Sequence, residues 1–414
     1  MKSNINKVFG EQQTEQGISR KPFKSRQVNN CAMKKVCLLF GLFLLIFMIS
    51  CKKEAKKGEE VVLTNVVRID LNEVMEQKKV SEFNQKLYQL ALDGKITAYK
   101  DDSLLSFYTK EEVSLRGGTT EIIEYVPDPA EPDFWVDSTI VSPFNPKDIA
   151  CNYVALEYIF DHAKGNFKVR FKSVSPGFKF IFSGIDLGMQ PLFLVSLEDL
   201  QKNFDKDFVA DMVEASLKAM VKTYSYVLPH KEEGISSTFI NMSENCGMLT
   251  WLLNPKLYES AITGLDAAPV PGYKTDALKD TYTPEEALSL GGVEEIIEYA
   301  PDPAFPDDLM DTTIWNPFRF IDSKYHMVCL KWTIDKNKME AIPAIQAVSL
   351  TYLVPPGCIL PLFWIKGSDF EKILNETELR CYNYALFYSF ATFYLDNKFT
   401  YKIGYSDKGV PSCK

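Results

Sequence analysis

Histidine is nearly missing from this chain of 414 residues: there are three, His162, His230 and His326, and none neighbours another ligand candidate at a recognisable spacing. A zinc site has no foundation on such a set. The chain also lacks a G-x-S-x-G elbow, a phosphate-cradling glycine loop and an H-E-x-x-H pair, so the common hydrolase, nucleotide and metalloprotease signatures are excluded. No cofactor and no metal are expected. Past residue 50 no apolar run reaches the roughly 20 residues a membrane-spanning helix needs. Positive charge is short too. Without residues 1–50 the basic residues fall from 46 to 38 and the acidic ones from 55 to 53, leaving a net charge of −15. Nucleic acid is excluded as a partner, because phosphate binding needs clustered positive charge.

What is present begins near the N-terminus. Met33-Lys34-Lys35 is a short positive segment, and Val36 to Ile49 is a 14-residue apolar run that ends at Ser50-Cys51 before Lys52-Lys53-Glu54. A charged start, a short apolar core and a small residue before the break make a secretory signal. Met48-Ile49-Ser50-Cys51 resembles the bacterial lipobox, with Cys51 as the residue that would carry acyl chains and anchor the chain to a membrane. An ordinary signal peptide and an N-terminal membrane anchor are the competing readings. Residues 1–32 fit no part of a signal and are set aside from fold reasoning. Six cysteines follow Cys51: Cys151, Cys246, Cys329, Cys358, Cys381 and Cys413. An oxidising compartment permits pairing, but without close spacings the connectivity is not legible, and small buried thiols are the favoured state.

The remaining 364 residues contain a repeat. Residues 109–130 read TKEEVSLRGGTTEIIEYVPDPA and residues 283–304 read TPEEALSLGGVEEIIEYAPDPA, identical at 14 of 22 positions at an offset of 174. Lys86-Leu87-Tyr88 matches Lys256-Leu257-Tyr258, Val174-Ser175 matches Val348-Ser349, and Pro191-Leu192-Phe193 matches Pro361-Leu362-Phe363, the offset drifting between 170 and 174. Such self-similarity marks a copied folding unit. The expected organisation is leader and signal over 1–50, linker 51–63, first module 64–225, linker 226–235, second module 236–400 and tail 401–414.

Within each module the spacing predicts a helix over 83–92 ending at Gly94. Capping boxes are expected at Thr109 to Glu112 and Thr283 to Glu286, with Pro284 at the first helical position. Gly117-Gly118 and Gly291-Gly292 would stop those short helices, and the Pro-Asp-Pro runs at 127–129 and 301–303 read as loops. Tyr153 to Phe160 and the alternation of Phe167, Val169 and Phe171 with Lys168, Arg170 and Lys172 predict strands of an antiparallel sheet with one wet face. Residues 191–195 and 361–365 read as last strands, and 207–224 and 376–395 as helices. The fold class is α+β: a tandem duplication of a module with short capped helices, an antiparallel sheet and a C-terminal helix.

The carboxylates most tempting as a catalytic pair are Glu111/Glu112 with Glu285/Glu286 and Glu121/Glu124 with Glu295/Glu298, since glycoside hydrolysis needs two carboxylates across a cleft. Capping and loop roles explain them, and no catalytic residue is assigned. Asp161 and Asp335 follow strands, where turn formation is the default. The aromatic surplus is core by default; as a set, Trp315, Trp332, Trp364, Tyr384 and Tyr388 are the candidate partner surface.

Several stretches then resemble the GldN/PorN family of the gliding-motility and type IX secretion machinery of Bacteroidetes. These are Ile69-Asp70-Leu71-Asn72-Glu73, Lys86-Leu87-Tyr88, Asp93 to Tyr99, Lys147-Asp148-Ile149, Tyr158 to Asp161, the strand from Phe167 to Val174, Pro176 and Pro191 to Val195. In the second module Ile240 to Glu244 and Pro361 to Trp364 fall in the same places. The resemblance implies a non-enzymatic periplasmic component that assembles with envelope proteins of a secretion or motility ring. The chain departs from that pattern by carrying the module twice and by having its own lipid anchor. Because Lys52 follows Cys51, the outer membrane is the expected location, with the protein facing the periplasm. The alternative is an outer-membrane lipoprotein that binds glycan or peptide through an aromatic cleft.

Overall fold

In the computed structural model, residues Lys57–Lys414 form one compact unit. The structure describes residues 60–413 apart from 129, 132, 143, 183–184, 224–232, 243–246, 264–269, 302–308, 317, 321–322, 355–356, 393–402 and 406–410. The signal segment, Cys51 and most of the 226–235 linker lie outside the described residues.

The first repeat opens with β1 (Glu60–Ile69) and helix α1 (Gln77–Leu92). Val80, Phe83, Leu87 and Ala91 recur at three- and four-residue intervals, so they share one face, and that face is buried. The short helix α2 (Lys110–Leu115) follows, with Thr109 Oγ1 accepting from Glu112 N at 3.2 Å and Glu112 Oε2 accepting from Thr109 N at 2.7 Å. Gly117 stops it at φ +76°, where a Cβ would also strike Leu192 Cδ2 at 2.6 Å. A hairpin of β2 (Thr119–Pro127) and β3 (Trp135–Ser142) comes next. The sheet strands follow: β4 (Ile149–Asp161), β5 (Asn166–Phe182), β6 (Ile185–Pro191) and β7 (Val195–Ser196). Helices α3 (Leu197–Asn203) and α4 (Lys206–Thr223) close the repeat.

The second repeat runs through the same series. It has β8 (Ile235–Asn241), α5 (Gly247–Tyr258), α6 (Pro284–Leu288) and the hairpin β9 (Val293–Pro301) and β10 (Leu309–Asn316). The strands β11 (Tyr325–Asp335), β12 (Glu340–Val354) and β13 (Cys358–Lys366) precede α7 (Gly367–Ile373) and α8 (Glu376–Thr392). Two short strands, β14 (Ile403–Tyr405) and β15 (Pro411–Cys413), pair with each other. Contacts recur along with elements. Tyr88 packs on Phe144 and Phe193, and Tyr258 packs on Phe318 and Phe363. Register shifts fall at Ala155/Leu156 and at Cys329/Leu330. The turn after each of Asp161 and Asp335 is held by that aspartate's Oδ1, which accepts two backbone N–H groups.

Strands of both repeats join one antiparallel sheet of nine strands, whose main path is β1-β4-β5-β12-β11-β8. β6 and β7 add to β5, and β13 adds to β12. The centre is the β5–β12 pairing, with Val169 opposite Ala341 and Arg170 opposite Glu340. Continuing that register by one residue would set Lys168 opposite Ile342, its own counterpart at the repeat offset of 174, as a local two-fold axis requires. The reach across the axis is reciprocal. Asn383 of α8 donates to Gly165 O at 2.9 Å in the β4–β5 turn, while Lys336 in the β11–β12 turn pairs with Asp211 of α4. One hydrophobic cluster runs from Phe160 and Val169 through Val328 and Leu330 to Phe387 and Phe390. The alternation read at Phe167, Val169 and Phe171 puts these three in that core.

Three local expectations are corrected. Residues 191–195 are not one strand: Pro191 ends β6, and only Val195–Ser196 resume the pairing. The Arg116 guanidinium reaches in and donates to the Pro191 and Leu192 carbonyls. Leu290 occupies the corresponding place in the second repeat, and there Cys358–Lys366 is a continuous buried strand. Glu121 and Glu295, expected beside loops, stand within strands whose shifted registers break the regular alternation a strand shows in sequence. β1 and β8, the first strands of the two repeats, went unread, although they form the outer members of the path.

Candidate interaction surfaces

The five aromatic residues of the expected partner surface fall into different environments. Trp364 is fully buried in a second cluster with Phe239, Met327 and Cys329. Trp332 is buried as well, its Nε1 donating to Ser236 Oγ at 2.7 Å and its ring set edge-on to Phe167 and Phe390. These two tryptophans are therefore core: α8 covers Trp332 through Phe390, and Trp364 lies among strand residues and the Tyr273 segment with which its backbone pairs. Tyr384 and Tyr388 are partly exposed. Tyr384 stacks on His162 at 5.7 Å and meets Phe160 edge-on at 5.1 Å, so its neighbours belong to the first repeat. Trp332 does the same through Phe167. Two of the candidates thus join one repeat to the other inside the chain. Trp315 lies on β10, and its side chain is outside the described residues.

The paired glutamates are committed elsewhere. Glu112 serves the Thr109 cap and takes an ion pair from Lys100 at 3.0 Å, and Glu286 serves Thr283 and pairs with Lys274 at 2.8 Å. The Thr109 amide and Lys100 hold the Glu112 carboxyl below its usual range, and Lys274 and the Thr283 amide do so for Glu286. A carboxyl held in its ionised form on the surface is a poor general acid. The side chains at 121, 124, 295 and 298 are outside the described residues. Among the described residues no group of His, Cys, Asp and Glu could hold a metal ion, and no helix is long and apolar enough to cross a membrane. Cys151 and Cys329 are buried free thiols whose pKa values burial pushes up, whereas Cys358 is disulfide-bonded.

Two polar pairs are buried at matching places. In the first repeat Asn84 and Asn152 exchange hydrogen bonds, Asn152 Nδ2 donating at 2.8 Å. In the second, His326 Nε2 lies 2.7 Å from Asn254 Oδ1. Asn254 Nδ2 already donates to the Phe320 and Ser323 carbonyls. The amide oxygen must therefore face the imidazole, which makes Nε2 the protonated nitrogen. His326 Nδ1 has no hydrogen-bond partner among the described residues, and burial pulls the pKa down to about 3.

A cavity of about 690 Å³ opens in the second repeat, lined by Phe318, Tyr352, Leu353 and Ile359, with Arg319 and Lys324 among its walls. Residues of the loop after β10 and the facing ends of β11, β12 and β13 build it. Tyr352 lies close enough to Tyr282 to help burial push the Tyr282 phenol up to about 12. The same place in the first repeat is packed differently. Phe178, the counterpart of Tyr352, sits edge-on to Phe144 and Phe180 at 5.6 and 6.0 Å. The hairpin there is also four residues longer, as the repeat offset falls from 174 at Val174 to 170 at Pro191. Asn145, Ala150 and Lys179 stand where the second repeat has Arg319, Lys324 and Leu353. None of this is legible in the sequence, since the lining comes from five separate segments.

Comparison with curated proteins and with solved structures gives no match. A family model described as "Gliding motility associated protein GldN" matches residues 64–231, a span that starts within β1 and ends past α4. The matched residues are those of the first repeat, which is thus GldN-like.

Proposed function

We propose that this chain is a lipid-anchored scaffold or assembly protein of the cell envelope, acting as a component or accessory of gliding motility and type IX secretion. The family match over residues 64–231 carries the reading. In it, one module was copied in tandem, and acyl chains on Cys51 tether the pair to the outer membrane on its periplasmic side. The recurrence of unusual backbone supports the copying: Leu104 and Leu278, at equivalent places, both adopt positive φ, as do Gly165 and Met339. An enzymatic role finds no support in glutamates that cap helices.

The test is membrane fractionation with labelled palmitate. The mature protein should incorporate label, fractionate with the outer membrane and co-purify with secretion or motility components. Failure to label, with Cys51→Ala leaving partitioning unchanged, removes the anchor. Clean recovery from native membranes with no such component removes the assembly role. The second reading, a lipoprotein that binds glycan or peptide, draws on the cavity beside Phe318 and Tyr352. Saturable binding on a glycan array would favour it.

A further inference from the structure

The turn joining β2 to β3 has the sequence Glu131-Pro132-Asp133-Phe134-Trp135, and it presents its two aromatic rings to solvent, Phe134 at 64% and Trp135 at 62% exposure. Hydrogen bonds tie its described residues together. Phe134 N donates to Glu131 O, Asp128 N donates to Phe134 O, and Asp128 Oδ1 accepts from Ala130 N at 2.8 Å. Adjacent exposed aromatics on a pre-shaped turn make an interaction feature, because large rings contribute much contact area with little entropy to lose. Their flanks, Glu131 and Asp133, are exposed and acidic.

The cavity of the second repeat has the opposite character. Arg319 and Lys324 are exposed on its walls, and Leu353 stands 64% exposed beside Tyr352. Its counterpart in the first repeat, Lys179, is instead a solvated residue paired with Asp186 at 3.0 Å. The second repeat has thus exchanged a neutral Asn and Ala for two cations, and a cation for an apolar residue, around a space that the shorter hairpin leaves open. Charge sign and apolar character both match the acidic, aromatic turn of the first repeat.

We infer that the cavity of one copy receives the Glu131–Trp135 turn of a second copy, giving a head-to-tail contact between chains. Such a contact uses different patches on the two partners, so where it does not close reciprocally into a two-fold dimer each bound copy still offers one free turn and one free cavity. The inference goes beyond the scaffold reading and needs neither the lipid anchor nor secretion partners; its failure would leave that reading standing.

The experiment is sedimentation velocity on the purified full chain, in detergent with micelles in large excess over protein. Average mass should rise with concentration. Two paired variants dissect the contact: Phe134→Ser with Trp135→Ser removes the turn's rings, and Arg319→Glu with Lys324→Glu reverses the cavity's charge. All four positions are exposed, so folding should be kept, and circular dichroism checks it. Each pair should weaken association by roughly thirtyfold or more, the size expected for central anchor residues. Mixing the two pairs is decisive, because one retains an intact turn and the other an intact cavity. The mixture should form dimers and nothing larger. A wild-type chain that stays monomeric throughout, or a mixture that stays monomeric, overturns the inference. So does unchanged association in either pair, which would assign self-association to another surface.

Discussion

Where the first repeat buries an asparagine against an asparagine, the second buries an asparagine against a histidine. Both pairs join the first long helix of a repeat to its sheet, Asn84 to Asn152 and Asn254 to His326. The amide pair is fully reciprocal and does not titrate. The imidazole pair leaves Nδ1 without a partner among the described residues and holds a group that can titrate. The strand-end site differs as well: Phe178 packs on Phe144 and Phe180 in one repeat, and Tyr352 lines a cavity in the other. The two repeats share backbone and core because each strand needs its partner, while polar pairs and hairpin ends are free to differ.

Three changes would break or sharpen this comparison, taken from the largest expected effect downward. Trp332→Ala should cost about 3–5 kcal/mol, since it empties a buried indole site and leaves Ser236 Oγ without its donor. Because Trp332 also packs on Phe167, urea unfolding should stay a single transition shifted as a whole. Two separated transitions, with the first repeat's unmoved, would mean that the repeats fold independently.

The second change concerns pH. The folded-state pKa of His326 is about 3, against about 6.5 unfolded, so the unfolded chain takes up the proton first as pH falls. Its contribution to stability is therefore fully present above about pH 6.5 and is lost at about 1.4 kcal/mol per pH unit toward pH 3. His326→Asn, which copies the first repeat, should abolish this loss. Measured by urea midpoints, the variant should gain about 2 kcal/mol on the wild type between pH 7 and pH 5. Parallel pH profiles for the two proteins would show that His326 does not titrate across the transition.

The smallest effect is at the turn between sheet strands. Gly165 holds φ +64° in the first repeat without strain, but Met339 holds φ +57° in the second. Met339→Gly should stabilise by about 1 kcal/mol, from relief of the left-handed conformation less the entropy of glycine. Gly165→Ala should destabilise, because its Cβ would also press on Arg380 Cγ at 3.0 Å. A neutral or destabilising Met339→Gly would place the strain elsewhere.

Much of the local structure was legible because it depends on neighbours in sequence. The helix ending at Gly94, the glycines that stop α2 and α6, the Asp161 and Asp335 turns and the alternation of β5 all arise from contacts a few residues long. Strands β2 and β9 are not legible as strands because a bulge shifts the alternation that marks one. The partner surface was misassigned at Trp332 and Trp364, since a tryptophan's composition signal is the same whether its ring faces a partner or a core.

By itself the sequence determined an α+β class, an internal sequence repeat and the GldN-like character of the first repeat. Repeats, caps and periodicities are properties of short segments, so they survive without knowledge of the fold. Only the tertiary structure decided that the two copies share one sheet and one core. Joining β5 to β12 depends on pairing strands far apart in the chain, and no local pattern encodes which edge meets which. The same reason hides the cavity: its walls come from separate segments of the second repeat that become neighbours only once that repeat has folded.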